Sequence, residues 1–181
     1  FNPDKTYFYR TAPTEYDAEL RKRIVRGEPH ERLSYYMGGE TGHSGFFSTA
    51  DDVTQFIRLM LNLGKIGNTA RIFNATNVEK FISKDRDFLT LTPEVMVFID
   101  LFLGFDTVCP GTKLRNCFGH DGSTGAMMWA DRDRNLTIVV LSNRGHPNAA
   151  NGKFEEFKPI IADAIMSVLG YDGIDRHGTA I

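Results

Sequence analysis

Phe118-Gly119-His120-Asp121-Gly122-Ser123-Thr124-Gly125 is the stretch that decides how this chain is read. Small residues surround one histidine, and the apolar run Ala126-Met127-Met128-Trp129-Ala130 follows at once. Residues 116–119 and 124–130 are strand-like, with the glycines from Gly122 to Gly125 at the bend between them. Glycines let a ligand approach the backbone, and an exposed strand-edge N–H can donate to a developing oxyanion. His120 is therefore either a site residue or a histidine in a tight turn.

Outward from this hairpin, Asp131-Arg132-Asp133-Arg134-Asn135 reads as a polar turn, with Asp131 and Asp133 as solvent-facing charge. Leu136-Thr137-Ile138-Val139-Val140-Leu141-Ser142 carries the strongest strand signal and is expected to be a buried central strand. Residues 159–169 predict a helix whose stripe is Ile160, Ile161, Ala164, Ile165 and Val168, closed by Gly170. Upstream, 93–96 starts a helical turn and 97–105 reads as a strand.

Nearer the start, 15–25 predicts a short helix ended by Gly27 and Pro29, with Arg21-Lys22-Arg23 on its solvated face. Gly38, Gly39, Gly42 and Gly45 make a tight, backbone-dominated path without the order of a phosphate loop. Ser48 or Thr49 is placed to cap a helix carrying Val53, Phe56, Ile57, Met60, Leu61 and Leu63, with Gly64 as its stop. A shorter helix follows over 74–81, and 171–181 is expected to fray. The division is 1–95, 96–170 and a tail at 171–181, all of one incomplete domain.

With 41% hydrophobic and 24% charged residues among 181, this is an ordinary globular composition with one sizeable core. A net charge of -2 and no basic face argue against a nucleic-acid partner, and no stretch is long and apolar enough to cross a membrane. Cys109 and Cys117 are compatible with a disulfide or with two free thiols. The scattered histidines lack metal-ligand spacing, so no metal or other cofactor is expected.

Nucleophile motifs are missing. None of Ser34, Ser44, Ser48, Ser83, Ser123, Ser142 and Ser167 is followed three positions on by lysine, and no Gly-x-Ser-x-Gly elbow occurs. Gly42-His43-Ser44-Gly45 leaves Ser44 with His43 as a minor candidate pair.

Four ordered stretches resemble the C-terminal half of a serine β-lactamase-like hydrolase, the group of class C β-lactamases, D-Ala-D-Ala carboxypeptidases and related esterases. They are residues 12–17 with 26–30, residues 38–52, Leu103-Gly104-Phe105-Asp106, and Phe118-Gly119-His120-Asp121-Gly122 followed by Trp129, Asp131 and residues 139–144. The resemblance implies a partial α/β (α+β) fold of the β-lactamase-like transpeptidase type. Its elements are an antiparallel sheet segment covered by a C-terminal helix, plus part of the helical lobe.

The resemblance also implies acyl transfer through an acyl-enzyme. His120 matches the Lys or His of the third motif and Gly122 its glycine. Ser123 matches the residue whose backbone N–H completes the oxyanion hole. The Ser-x-x-Lys and Tyr motifs belong upstream of Phe1, so the expected partner is a missing N-terminal segment or a second copy.

Asp121 stands where the family usually carries a hydroxyl that helps bind a substrate carboxylate. It repels such a group unless protonated or paired, which points to esters or amides without an acid at that end. Glu31-Arg32-Leu33 also departs from the Asp-Glu-Asn expected there. The substrate class implied is a small ester, amide or peptidoglycan-like molecule, in the bacterial periplasm, envelope or outside the cell. The alternative is a non-catalytic binding or structural domain of the same fold.

Overall fold

The structure is a computed structural model, and it describes residues 1–68, 70–83, 101–102 and 104–171. The expected helical turn at 93–96, most of the strand at 97–105 and the tail beyond Tyr171 lie outside those residues. The chain forms two compact units. One comprises Phe1–Ala50, Gly122–Ala126 and Val140–Glu155; the other comprises Asp51–Asp121, Met127–Val139 and Glu156–Ile181.

In the first unit a 3-10 turn at Lys5–Arg10 is capped by Asp4, whose carboxylate accepts from Thr6 N at 2.8 Å. The helix expected over 15–25 is instead a hairpin. Strands β1 (Tyr16–Asp17) and β2 (Arg23–Ile24) pair antiparallel, with Tyr16 opposite Ile24. The cause is Asp17. Its Oδ1 accepts from the amides of Glu19 and Leu20, and its Oδ2 binds Arg21 Nε at 2.7 Å. A short acidic side chain that bonds the backbone ahead of it offers the chain a turn in place of a helix. Arg21, expected on a solvated helix face, is only 3% exposed at its side chain and donates to Pro29 O and His30 O. The Arg21 guanidinium, with the Leu20 amide, holds the Asp17 carboxyl well below the usual carboxylate range.

Next comes a one-turn helix α1 (Arg32–Tyr36), capped by both oxygens of Glu31 on Leu33 N and Ser34 N. The glycine-rich path beyond it is tight, as its composition predicts: Gly38, Gly39 and Gly45 all have positive φ.

The second unit holds the larger core. Helix α2 (Ala50–Leu61) buries Ile57 and Met60 and ends as expected, with Gly64 N reaching back to Leu59 O. A small hairpin of β3 (Lys65–Ile66) and β4 (Ala70–Arg71), which carries no strong strand pattern, leads to α3 (Ala75–Ile82). Asn74 caps α3 by accepting from Asn77 N. Ile57, Met60, Val78, Ile82, Phe105, Phe118 and Ala130 form one buried cluster. Each large side chain in it contributes about 1.5–3 kcal/mol by leaving water.

The sheet beside these helices is antiparallel and runs in the order β5 (Leu101–Phe102), β6 (Phe105–Asp106), β7 (Cys117–Gly122), β8 (Ala126–Asp131), β9 (Leu136–Leu141). Phe102 pairs with Phe105, so the chain has reversed before Phe105 where one continuous strand was expected. Asp106 lies opposite Gly119. β9 is not the buried central strand that its apolar run suggests. It is the last strand in the order among the described residues, and only Ile138 is buried. A run of β-branched residues favours a strand without saying where in a sheet it lies.

Asp131 also departs from expectation. It is fully buried and accepts from Arg115 N, Arg134 N and Arg134 Nη1, the last at 2.6 Å. The turn after β8 leaves amides that need an acceptor, and the carboxylate supplies it. Cys109 and Cys117 form a disulfide, with 5.4 Å between their Cα atoms, that ties the loop before β7 to the strand's first residue.

Helix α4 (Lys153–Val168) starts six residues earlier than the pattern at Pro159 suggests, because Asn151 Oδ1 accepts from Lys153 N. Its buried positions are Phe154, Ala162 and Met166, while Ile160, Ala164 and Val168 of the expected stripe are exposed. Asp163 anchors the helix by accepting from the amides of Thr112 and Lys113. The architecture is α+β with antiparallel sheets, in agreement with the sequence reading. No helix among the described residues is long and apolar enough to cross a membrane.

Candidate active site

Alternation along β7 sends successive side chains to opposite faces of the sheet. Phe118 enters the core cluster, and two residues on, His120 stands exposed with no hydrogen-bond partner among the described residues. Gly119 and Asp121 take the other face, where Trp129 of β8 lies. A Cβ on Gly119 would sit 2.4 Å from Trp129 Cδ2 and 2.3 Å from Met128 O, so only glycine fits. The same indole donates from Nε1 to Asp121 Oδ1 at 3.0 Å.

The second oxygen of Asp121 is in an ion pair with Lys158 Nζ of α4. Both side chains are about one-fifth exposed, at 20% for Lys158 and 18% for Asp121. Of the states weighed for this aspartate, bare, protonated or paired, the structure has the paired one. Lys158 was missed in the sequence. An aspartate in place of a hydroxyl calls for a counter-ion, and Lys153 and Lys158 are the lysines that follow it. Nothing local to Asp121 selects between them.

Gly122 ends β7 and Ser123 opens the turn, exposed. Within the first unit this turn is closed by Gly125 N on Gly122 O at 2.9 Å. It is pinned from Ser142, whose N and Oγ both donate to Gly125 O, and from Arg144 N, which donates to Thr124 O at 2.9 Å. Arg144 Nη1 in turn binds the carbonyls of Ala149 and Asn151. A Cβ on Gly122 would find nothing nearer than 3.7 Å, so the fold itself does not demand glycine there.

The Ser44 and His43 pair is not assembled as a nucleophile and base. His43 Nε2 lies 3.2 Å from Ser34 Oγ and 3.1 Å from Glu31 Oε2, while Ser44 contributes its carbonyl to Thr41 Oγ1. Ser34 is itself fully buried and bonded to Thr41. Glu31 is held down at about 2 by the amides of Ser34 and Leu33 and by His43. Among the described residues no group of three or more His, Cys, Asp or Glu side chains is placed to hold a metal. A surface depression of about 350 Å³ is lined by Leu63, Ala75, Thr76, Glu79 and Lys80 and includes none of the four residues singled out on β7 and its turn.

The antiparallel sheet and the helices around it agree with a partial β-lactamase-like fold. The β-lactamase family pattern matches residues 1–156, and the chain belongs to that family. It is 32% identical over 136 residues to an Escherichia coli (strain K12) protein called "Putative D-alanyl-D-alanine carboxypeptidase", covering 73% of this chain and 30% of that protein. Proteins of the same name in Salmonella agona (strain SL483) and Salmonella paratyphi B are 29% identical over 147 residues. The chain therefore spans about 30% of the length of the curated relatives it matches.

Proposed function

We propose that this chain is the C-terminal portion of a serine hydrolase that works by acyl-enzyme formation on an ester or amide. Residues 1–95 are then connector and part of a helical lobe, and 96–170 the C-terminal part of the α/β lobe. The observation that carries the reading is the end of β7. His120 is exposed and has no hydrogen-bond partner among the described residues, Gly122 is unconstrained by packing, and the Ser123 turn is pinned by Ser142 and Arg144.

The chemistry runs in two displacements. A serine hydroxyl adds to the substrate carbonyl, and its proton passes to a base and then to the leaving group. Water then adds to the acyl-enzyme and releases the acid. Oxyanion stabilisation is the dominant gain in such a step, and Ser123 N–H is one of the two donors. His120 contributes polarity and hydrogen bonding beside the serine and is not the base. The nucleophile comes from a segment outside these 181 residues, because none of their serines has a lysine three positions on.

The relatives' name favours peptidoglycan-like substrates ending in D-alanyl-D-alanine. The Cys109–Cys117 disulfide supports an oxidising compartment such as the bacterial periplasm, envelope or exterior. A second reading, a non-catalytic binding or structural domain, draws on the lack of a nucleophile motif in the chain.

The test is labelling of the full-length protein with a fluorophosphonate serine probe, read by intact mass and peptide mapping. One adduct on a serine outside residues 1–181 supports acyl transfer. No adduct overturns it in favour of the binding domain. An adduct on Ser44, lost in Ser44→Ala, would move the nucleophile into this chain.

A further inference from the structure

Asp121 places a carboxylate between two residues assigned to the site, His120 before it and Gly122 after it. Ser123 follows two residues on, and two residues of chain span at most about 7 Å. A bare carboxylate at that range weakens binding of a singly anionic ligand on the order of tenfold.

Lys158 removes that penalty. It pairs with Oδ2 while Trp129 Nε1 takes Oδ1. The charge is not needed for anchorage, since Asp163 already ties α4 to Thr112 and Lys113. Nor does the indole need a charged acceptor; an asparagine carbonyl would accept its N–H equally well. Desolvating two charges is costly, and a partly buried pair that holds nothing otherwise loose calls for another role.

We propose that Lys158 is a positioning residue that sets the charge selectivity of the site. By neutralising Asp121 and holding its carboxylate on the Trp129 face of β7, it lets a substrate with a free terminal carboxylate bind at this strand end. The inference rests on the reading that the end of β7 lines the substrate site.

The experiment compares an acylated D-alanyl-D-alanine as its free acid and as its C-terminal amide, by equilibrium binding to the full-length protein. The wild type is expected to bind the two within about threefold. Lys158→Met should shift the acid-to-amide affinity ratio about tenfold against the acid, and Lys158→Met with Asp121→Asn should restore it. Asp121→Asn alone leaves the lysine charge in place and should shift the ratio the other way. That arm stands even if Lys158→Met fails to fold, which melting of each variant reports.

Equal weakening of acid and amide, a ratio that no variant moves, or no binding of either ligand overturns the inference and leaves the pair as a helix anchor. If the ratio moves as stated while no protein hydrolyses a neutral ester or labels with the serine probe, the acyl-transfer reading fails and the charge-selectivity role stands.

Discussion

The Trp129 ring occupies the space where a side chain on Gly119 would stand, 2.4 Å from an ideal Cβ to Trp129 Cδ2. Met128 O closes the other side at 2.3 Å, and both partners are on the neighbouring strand. Neither a buried indole nor a strand carbonyl can retreat cheaply. Gly119→Ala should cost about 1–3 kcal/mol by overpacking. A lowered urea midpoint with a shifted emission of the single tryptophan checks this; an unchanged midpoint would mean that β7 and β8 separate freely.

Gly122, three residues on, makes the opposite prediction. A Cβ there meets only ordinary contacts at 3.7 Å and beyond, and no positive φ opposes it. Gly122→Ala should change stability by less than about 0.5 kcal/mol. If a ligand approaches this backbone, the same methyl should slow serine-probe labelling of the full-length protein on the order of tenfold. A stability loss without a labelling defect would count against the site.

Asp131 is fully buried, and its two oxygens serve Arg115 N, Arg134 N and Arg134 Nη1. Truncation takes the carboxylate acceptor from two amides and removes the counter-ion of the Arg134 guanidinium, which is only 11% exposed and keeps its bond to Lys113 O. Asp131→Ala should cost about 3–5 kcal/mol, as breaking one side of a buried pair does. Denaturant unfolding of the single variant is sufficient to test it.

Low pH should loosen the first unit. Glu31 titrates at about 2 in the fold against an ordinary 4.5, because the amides of Ser34 and Leu33, then His43, bind its ionised form. A depressed carboxyl contributes stability that is fully present above the unfolded value and is lost as pH falls through the folded one. The loss therefore runs from about pH 4.5 down to about 2, and Asp17, depressed chiefly by Arg21, adds in the same direction. Urea midpoints for wild type and Glu31→Gln at pH 7 and pH 3 test this. The wild type should lose more between the two than the variant.

The local vocabulary of the fold was legible. The stop at Gly64, the short helix beginning near Asn74, the turn after Gly122 and the polar turn after Asp131 each depend on residues within a few positions of one another. The failures share a cause. At 15–25 a helical pattern lost to Asp17, whose bonds to Glu19, Leu20 and Arg21 stabilise a turn, with Arg21 drawn inward by the carbonyls of Pro29 and His30. In α4 the apolar residues do not all lie on one side, and the side holding Ala162 and Met166 is the buried one.

The candidate site divides the same way. The order of small residues around His120 was enough to mark this strand end as a candidate site, because glycine's lack of a side chain is a property of the residue itself. The sequence by itself determined the family, the hairpin and the pair of cysteines available for a disulfide. Only the tertiary structure decided that those cysteines join, that Asp131 is buried, and that Asp121 meets Lys158, 37 positions further along the chain. The reason is range. Caps, turns and strand patterns act between near neighbours, whereas a counter-ion is chosen by which helix face packs against which strand.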